Sequence, residues 1–98
     1  MTVDLAILIS TRRGQGHLQE EAFKRLAPLV RAETGCLRYD LHRVDGEEDS
    51  FLLLEQWASQ AALDAHDAAP HMVAQDAANA EFRSGPVTVI RYLADPIA

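Results

Sequence analysis

Residues 35–57 read GCLRYDLHRVDGEEDSFLLLEQW, and they carry a hairpin. From Cys36 to Val44, Leu37, Tyr39 and Leu41 share one parity, while Arg38, Asp40 and His42 share the other. A period of two with one wetter side predicts a strand. Phe51 to Trp57 predicts the next strand. The acidic run Asp45-Gly46-Glu47-Glu48-Asp49 between them is short enough for an antiparallel turn. It lacks the D-x-D-x-D-G spacing of a calcium loop and reads as a solvated turn. Gly35, just ahead, suits the left-handed position past the end of a helix.

Working outward, Val3 to Ser10 is apolar on both parities, which predicts a strand covered on both faces. Thr11 to Gly16 reads as a loop. From His17 onward, Leu18, Ala22, Phe23, Leu26, Leu29 and Val30 recur at helical spacing. Glu20 and Glu21 are expected in the first turn, where they complement the helix dipole. Pro28 cannot donate to the carbonyl of Lys24, so a kink or break is expected there. Downstream, Ser59 is a plausible N-cap for a short helix to about His66. Pro70 suits the first turn of a helix running to about Phe82. Gly85-Pro86 ends it, and Val87 to Leu93 alternates as a last strand. The order β-α-β-β-α-α-β predicts an α+β, ferredoxin-like fold: a four-stranded antiparallel sheet with helices on one face. The helix-free face keeps apolar residues, so a second copy is expected to cover it, joined sheet to sheet.

A chain of 98 residues is expected to form one domain, over 1–98. Nine basic against fifteen acidic side chains give a net charge of −6, which disfavours a nucleic-acid partner. The single cysteine excludes an internal disulfide framework. No basic leader and no long apolar run are present, so no membrane partner and a cytoplasmic location are expected.

The segments Gly35-Cys36-Leu37-Arg38-Tyr39, Glu55-Gln56-Trp57, Ala62-Leu63-Asp64-Ala65-His66 and Pro70-His71 come in an order and spacing that resemble the antibiotic biosynthesis monooxygenase (ABM) domain family. The resemblance covers nearly the whole chain. It implies a homodimeric α+β barrel with a pocket between helices and sheet. It also implies oxidation of a phenolic or quinol-type aromatic by O2, with no metal or organic cofactor. Relatives of this fold degrade haem or rearrange a phosphorylated sugar. The haem-degrading branch wants an Asn on the first strand and a helical Trp and His. Here the first strand has no Asn, and the helical positions fall near His66 and Asp76, which counts against that reaction.

Such oxygenation requires a substrate that supplies its own electrons, a base near neutral pKa, a group to hold the phenolate, and a dry pocket. His66 and His71 are the candidate bases. Their five-residue spacing, interrupted by Pro70, is not the spacing that sets two metal ligands on one helical face, and no metal site is expected. Each could instead cap a helix end. Glu55 shares a parity with Phe51, Leu53 and Trp57. It is expected to orient a histidine or act as acid or base; otherwise it pairs with Arg38, Arg43 or Arg91. Tyr39 and Trp57, with Phe23 and Phe82, are the candidate substrate-binding residues. Cys36 reads as a small buried hydrophobe, and His17 and His42 as surface residues. Two alternatives stand beside the monooxygenase. One is an isomerase or lyase on a small phosphorylated or oxygenated metabolite, with Arg12 or Arg13 holding an anionic group. The other is a non-catalytic dimeric small-molecule-binding protein.

Overall fold

The computed structural model describes all 98 residues. Seven elements follow in the order β1 (Val3–Ser10), α1 (Gly16–Arg31), β2 (Cys36–Val44), β3 (Glu47–Trp57), α2 (Gln60–Ala68), α3 (Pro70–Asn79) and β4 (Thr88–Tyr92). The strands form one antiparallel sheet in the order β2-β3-β1-β4. This is the expected α+β ferredoxin-like architecture.

Register sorts the side chains. Across the sheet, Leu41, Leu53 and Ile7 lie in one row, and Tyr39, Glu55 and Leu5 in the next. These rows, with Val3, Ile9, Phe51 and Trp57, face the helices and build the core with Leu26, Ala27, Val30 and Leu63. The opposite face carries Ala6, Leu54 and Ile90 in one row, and Leu8 and Leu52 in another. Leu8 and Ile90 are about half exposed there, at 46% and 48%.

Several local expectations are corrected. Helix α1 runs unbroken through Pro28, because the proline falls in the last turn and costs only the bond to the carbonyl of Lys24. The N–H groups of Ala32 and Glu33 then close the helix on the carbonyls of Pro28 and Val30. The helix also begins at Gly16, so Glu20 and Glu21 lie beyond its first turn. The hairpin turn is only Asp45-Gly46, with Gly46 at φ +80°, and Glu47, Glu48 and Asp49 belong to β3. Asp49 accepts from the N–H groups of Gly14 and Gly16 and ties the loop before α1 to the sheet. A register shift between Cys36 and Arg38 takes Leu37 off the parity of Tyr39, and Leu37 is exposed. Helix α3 stops at Asn79, short of Phe82. A single extended residue, Ala69, separates α2 from α3, as a residue before proline prefers. Ser59 caps α2 as expected, its Oγ accepting from the N–H of Ala62.

Candidate active site

Between α1, α3 and the sheet lies a cavity of about 210 Å³. Its walls are mainly apolar, including Ile7, Ile9, Phe23, Leu53 and Met72. Tyr39, Glu55 and His66 bring polar atoms to it. The sheet supplies Tyr39 and Glu55 as cross-strand partners, and the last turn of α2 supplies His66.

His66 is 2% exposed. Its Nδ1 lies 2.9 Å from Oε2 of Glu33, and its Nε2 lies 4.0 Å from Oε1 of Glu55. An ionised Glu33 can only accept, so Nδ1 carries the hydrogen and Nε2 of a neutral ring keeps a lone pair. That lone pair belongs to a side chain on the cavity wall. The indole of Trp57 lies against the imidazole, with ring centroids 4.5 Å apart. Tyr39 meets its edge at 5.8 Å and stacks on Phe23 at 5.3 Å.

Glu55 is buried, and burial pushes its carboxyl above the usual carboxylate range. The Trp57 indole N–H, donating at 2.9 Å, and the nearby His66 oppose that rise. Burial also pushes the Tyr39 hydroxyl well above the usual phenol range. The arginines that might have neutralised Glu55 are engaged elsewhere. Arg38 meets Asp40, Arg43 meets Glu20, and Arg91 meets Gln60.

Of the residues singled out in the sequence, the structure gathers Phe23, Tyr39, Glu55 and His66 around the cavity. Three others stand off its wall. Trp57 is wholly buried behind His66, with its N–H committed to Glu55 rather than to open space. Phe82 is buried beyond the wall, past the end of α3. His71 places Nε2 at 2.8 Å from the same oxygen of Glu33 that holds His66. Arg12 does not reach the cavity; its guanidinium donates to the carbonyls of Ala80 and Glu81. Cys36 is half-buried, and burial pushes its thiol up.

Glu33 is the partner that sequence reasoning missed. It lies in the turn between α1 and β2, where no periodicity marks it. Gln19 was also missed, although it carries a signal. It occupies a buried position of α1 together with Ala22, Leu26 and Val30, where an apolar residue is the norm. Asn79 and Arg83, at and beyond the end of α3, join Asp67, Gln75 and Asp76 in the polar part of the wall. No group of three or more His, Cys, Asp or Glu side chains is arranged to hold a metal ion.

The fold and site define an α+β protein of ferredoxin-like class, with a carboxylate-held histidine on a mainly apolar cavity. Residues 3–77 match the family model described as antibiotic biosynthesis monooxygenase, and the chain belongs to that family. YcnE of Bacillus subtilis, provisionally named a monooxygenase, is 39% identical over 76 residues, covering 74% of this chain and 80% of that protein. YgiN of Escherichia coli, provisionally named a quinol monooxygenase, is 37% identical over 76 residues, covering 67% of this chain and 73% of that protein. The crystal structure of PA3566 from Pseudomonas aeruginosa superposes with a TM-score of 0.88 at 27% identity, covering 97% of this chain and 95% of that one. No helix here is long and apolar enough to cross a membrane.

Proposed function

We propose that this chain is a cofactor-independent monooxygenase that oxidises a small phenolic or quinol-type aromatic with O2. The observation that carries the reading is His66, a buried imidazole on the wall of an apolar cavity with Nδ1 held by Glu33. A phenolic hydroxyl entering the cavity gives its proton to Nε2, and the Glu33 carboxylate stabilises the imidazolium that forms. Tyr39 keeps its proton and donates to the phenolate oxygen. Phe23 flanks the ring. Trp57 and His71 act from behind, the first by supporting the imidazole and the second by holding Glu33. Glu55, whose carboxyl burial pushes above the usual range, donates to the substrate when protonated and accepts from it when ionised.

The phenolate then supplies the electrons. In the overall step a phenol's ring C–H becomes C=O and the phenol becomes a quinone; on a quinol the ring C–H becomes C–OH, both hydroxyls become C=O, and the product is a hydroxyquinone. The ring loses four electrons and O2 gains them. One oxygen atom stays on the ring. The other leaves as water, with the phenolic proton that His66 returns and the proton lost from the ring carbon. The apolar walls keep solvent from intercepting the reduced-oxygen intermediate. The name of YgiN favours a quinol within this class.

The same reading has one domain over 1–98, working in the cytoplasm. Its partners are the aromatic substrate, O2 and a second copy of itself across the open sheet face. No nucleic-acid or membrane partner belongs to it. Neither arginine that the isomerase alternative relied on lines the cavity: Arg12 donates to the end of α3, and Arg13 is exposed.

The test is oxygen uptake by chelator-treated protein with a panel of quinols, naphthols and anthrone-like phenols. One quinone per O2 consumed is expected. His66→Ala should slow that turnover by about 10²-fold or more, the usual weight of a general base. No uptake from any compound by the folded protein overturns the reading.

A further inference from the structure

Glu33 sits between two imidazoles. Nδ1 of His66 lies 2.9 Å from its Oε2, and Nε2 of His71 lies 2.8 Å from the same oxygen. An ionised carboxylate only accepts, so both nitrogens carry hydrogen, and one oxygen with two lone pairs can take both. Each neutral ring then keeps its lone pair on the far nitrogen. For His66 that is Nε2, on the side of the cavity and Glu55. For His71 it is Nδ1, which has no protein partner. The only sealed, unpartnered side-chain polar atom in the chain is Oε1 of Gln15, so Nδ1 of His71 opens to solvent. Exposure rises along the row, from 3% for the His66 side chain through 14% for Glu33 to 26% for His71. The row joins the cavity at one end to solvent at the other.

The two rings do not compete for hydrogen bonds; they compete for charge. Glu33 makes no ion pair with an arginine or lysine. Arg31, at the end of α1, is turned to the carbonyl of Tyr39 and to Asp40, and Arg83, across the cavity, donates to Gln19. The other titratable groups around the rings are Cys36 and Tyr39 from β2, Glu55 from β3, Asp64 and Asp67 from α2, and Asp76 from α3. Only Glu33 lies within hydrogen-bond distance of both rings. Its single negative charge can offset one imidazolium. Two imidazoliums on one oxygen would place their bonded nitrogens within about 6 Å of each other, where each like charge opposes the other. Desolvation also penalises charge on the buried His66 ring more than on the partly exposed His71 ring.

We propose that His71 is a positioning residue that shares Glu33 with His66: while His71 is neutral the carboxylate's charge serves the His66 imidazolium, and once solvent protonates His71 that charge is drawn off and His66 holds a proton less tightly. The inference rests on the reading of His66 as the base and adds what governs its strength. A proton at the solvent end of the row weakens the base at the cavity end, with no change in the cavity wall itself.

Ring resonances of the histidines, followed by NMR across pH in the ligand-free chain, test this without a substrate. The chain has four histidines, and the signal lost in His66→Ala assigns His66. His71→Gln keeps an N–H for Oε2 of Glu33 but never carries a charge. His71→Lys keeps an N–H and carries a charge throughout, and His71→Arg serves if the lysine variant fails to fold. The His66 titration should have its midpoint highest in the glutamine variant and lowest in the lysine variant, with wild type between them. The two variants should stand apart by about one pH unit or more, a tenfold difference in proton affinity. A role confined to packing predicts that both variants, each keeping the donor, titrate His66 alike. Equal midpoints, or the reverse order, overturn the proposal. A wild type that coincides with the glutamine variant shows that His71 takes no proton ahead of His66, and overturns it too. The base reading is judged separately, by the effect of His66→Ala on oxygen uptake, so either can fail without the other.

Discussion

Glu55 shows how burial sets chemistry at a single residue. The apolar surroundings raise its pKa, while the Trp57 N–H and His66 hold the rise in check, and Glu33 and Asp67 add to it. A carboxyl that binds its proton more tightly folded than unfolded lends stability below its ordinary range. That stability is lost as pH rises through the folded value. Glu55→Gln keeps an oxygen for the indole N–H but cannot ionise. Its urea midpoint should therefore gain on the wild type as pH climbs out of the ordinary carboxylate range. A wild-type-to-variant difference that stays constant with pH refutes this account.

At the level of elements, the site depends on how α1 hands over to β2. The chain leaves α1 at Arg31, turns through Glu33, and enters β2 after Gly35, whose φ is +83°. The carbonyl of Gly35 accepts from the N–H of Ala58, which pins this turn to the start of the α2 region. A Cβ on Gly35 would stand 2.6 Å from that of Ala62 in the first turn of α2. Gly46 has nearly the same φ, +80°, but open space around it. The two glycines separate backbone strain from steric conflict. Gly46→Ala should cost about 1 kcal/mol, the left-handed penalty alone. Gly35→Ala should cost about 2 kcal/mol or more, because α2 must also move. Equal losses in urea unfolding would show that the Ala62 contact gives way freely. Moving α2 moves His66 relative to Glu33, so Gly35→Ala should also weaken the site.

For the whole molecule, the open face of the sheet is the unresolved apolar surface. Leu8, Leu52, Leu54, Ile90 and Tyr92 share it, with Leu8, Ile90 and Tyr92 40–48% exposed. A face of this kind is expected to be covered by a second copy. Sedimentation should find wild-type chains as dimers at micromolar concentration. Leu8→Lys and Ile90→Lys, each placing a charge in the middle of the face, should shift them toward monomers while leaving helical content unchanged. A wild type that sediments as a monomer, or dimers that tolerate both lysines, refutes the interface.

Alternation and helical spacing are local properties, so the order of elements, the hairpin, the Ser59 cap and the burial of Tyr39, Glu55 and Trp57 could be read along the chain. Position along the chain also marked His66 as a residue at a helix end. What could not be read there was which side chains meet. Glu33 reaches both His66 and His71 only because the α1–β2 turn packs against the α2–α3 corner. Glu55 meets none of the arginines considered for it, since Arg38, Arg43 and Arg91 meet Asp40, Glu20 and Gln60 instead. Leu37 left its expected face through a register shift that no residue type announces. Gln19, Asn79 and Arg83 converge from α1 and from the end of α3, far apart in sequence. Hydrophobic patterning specifies which face of an element is buried, but pairing between distant polar groups depends on distances that exist only after the elements have packed.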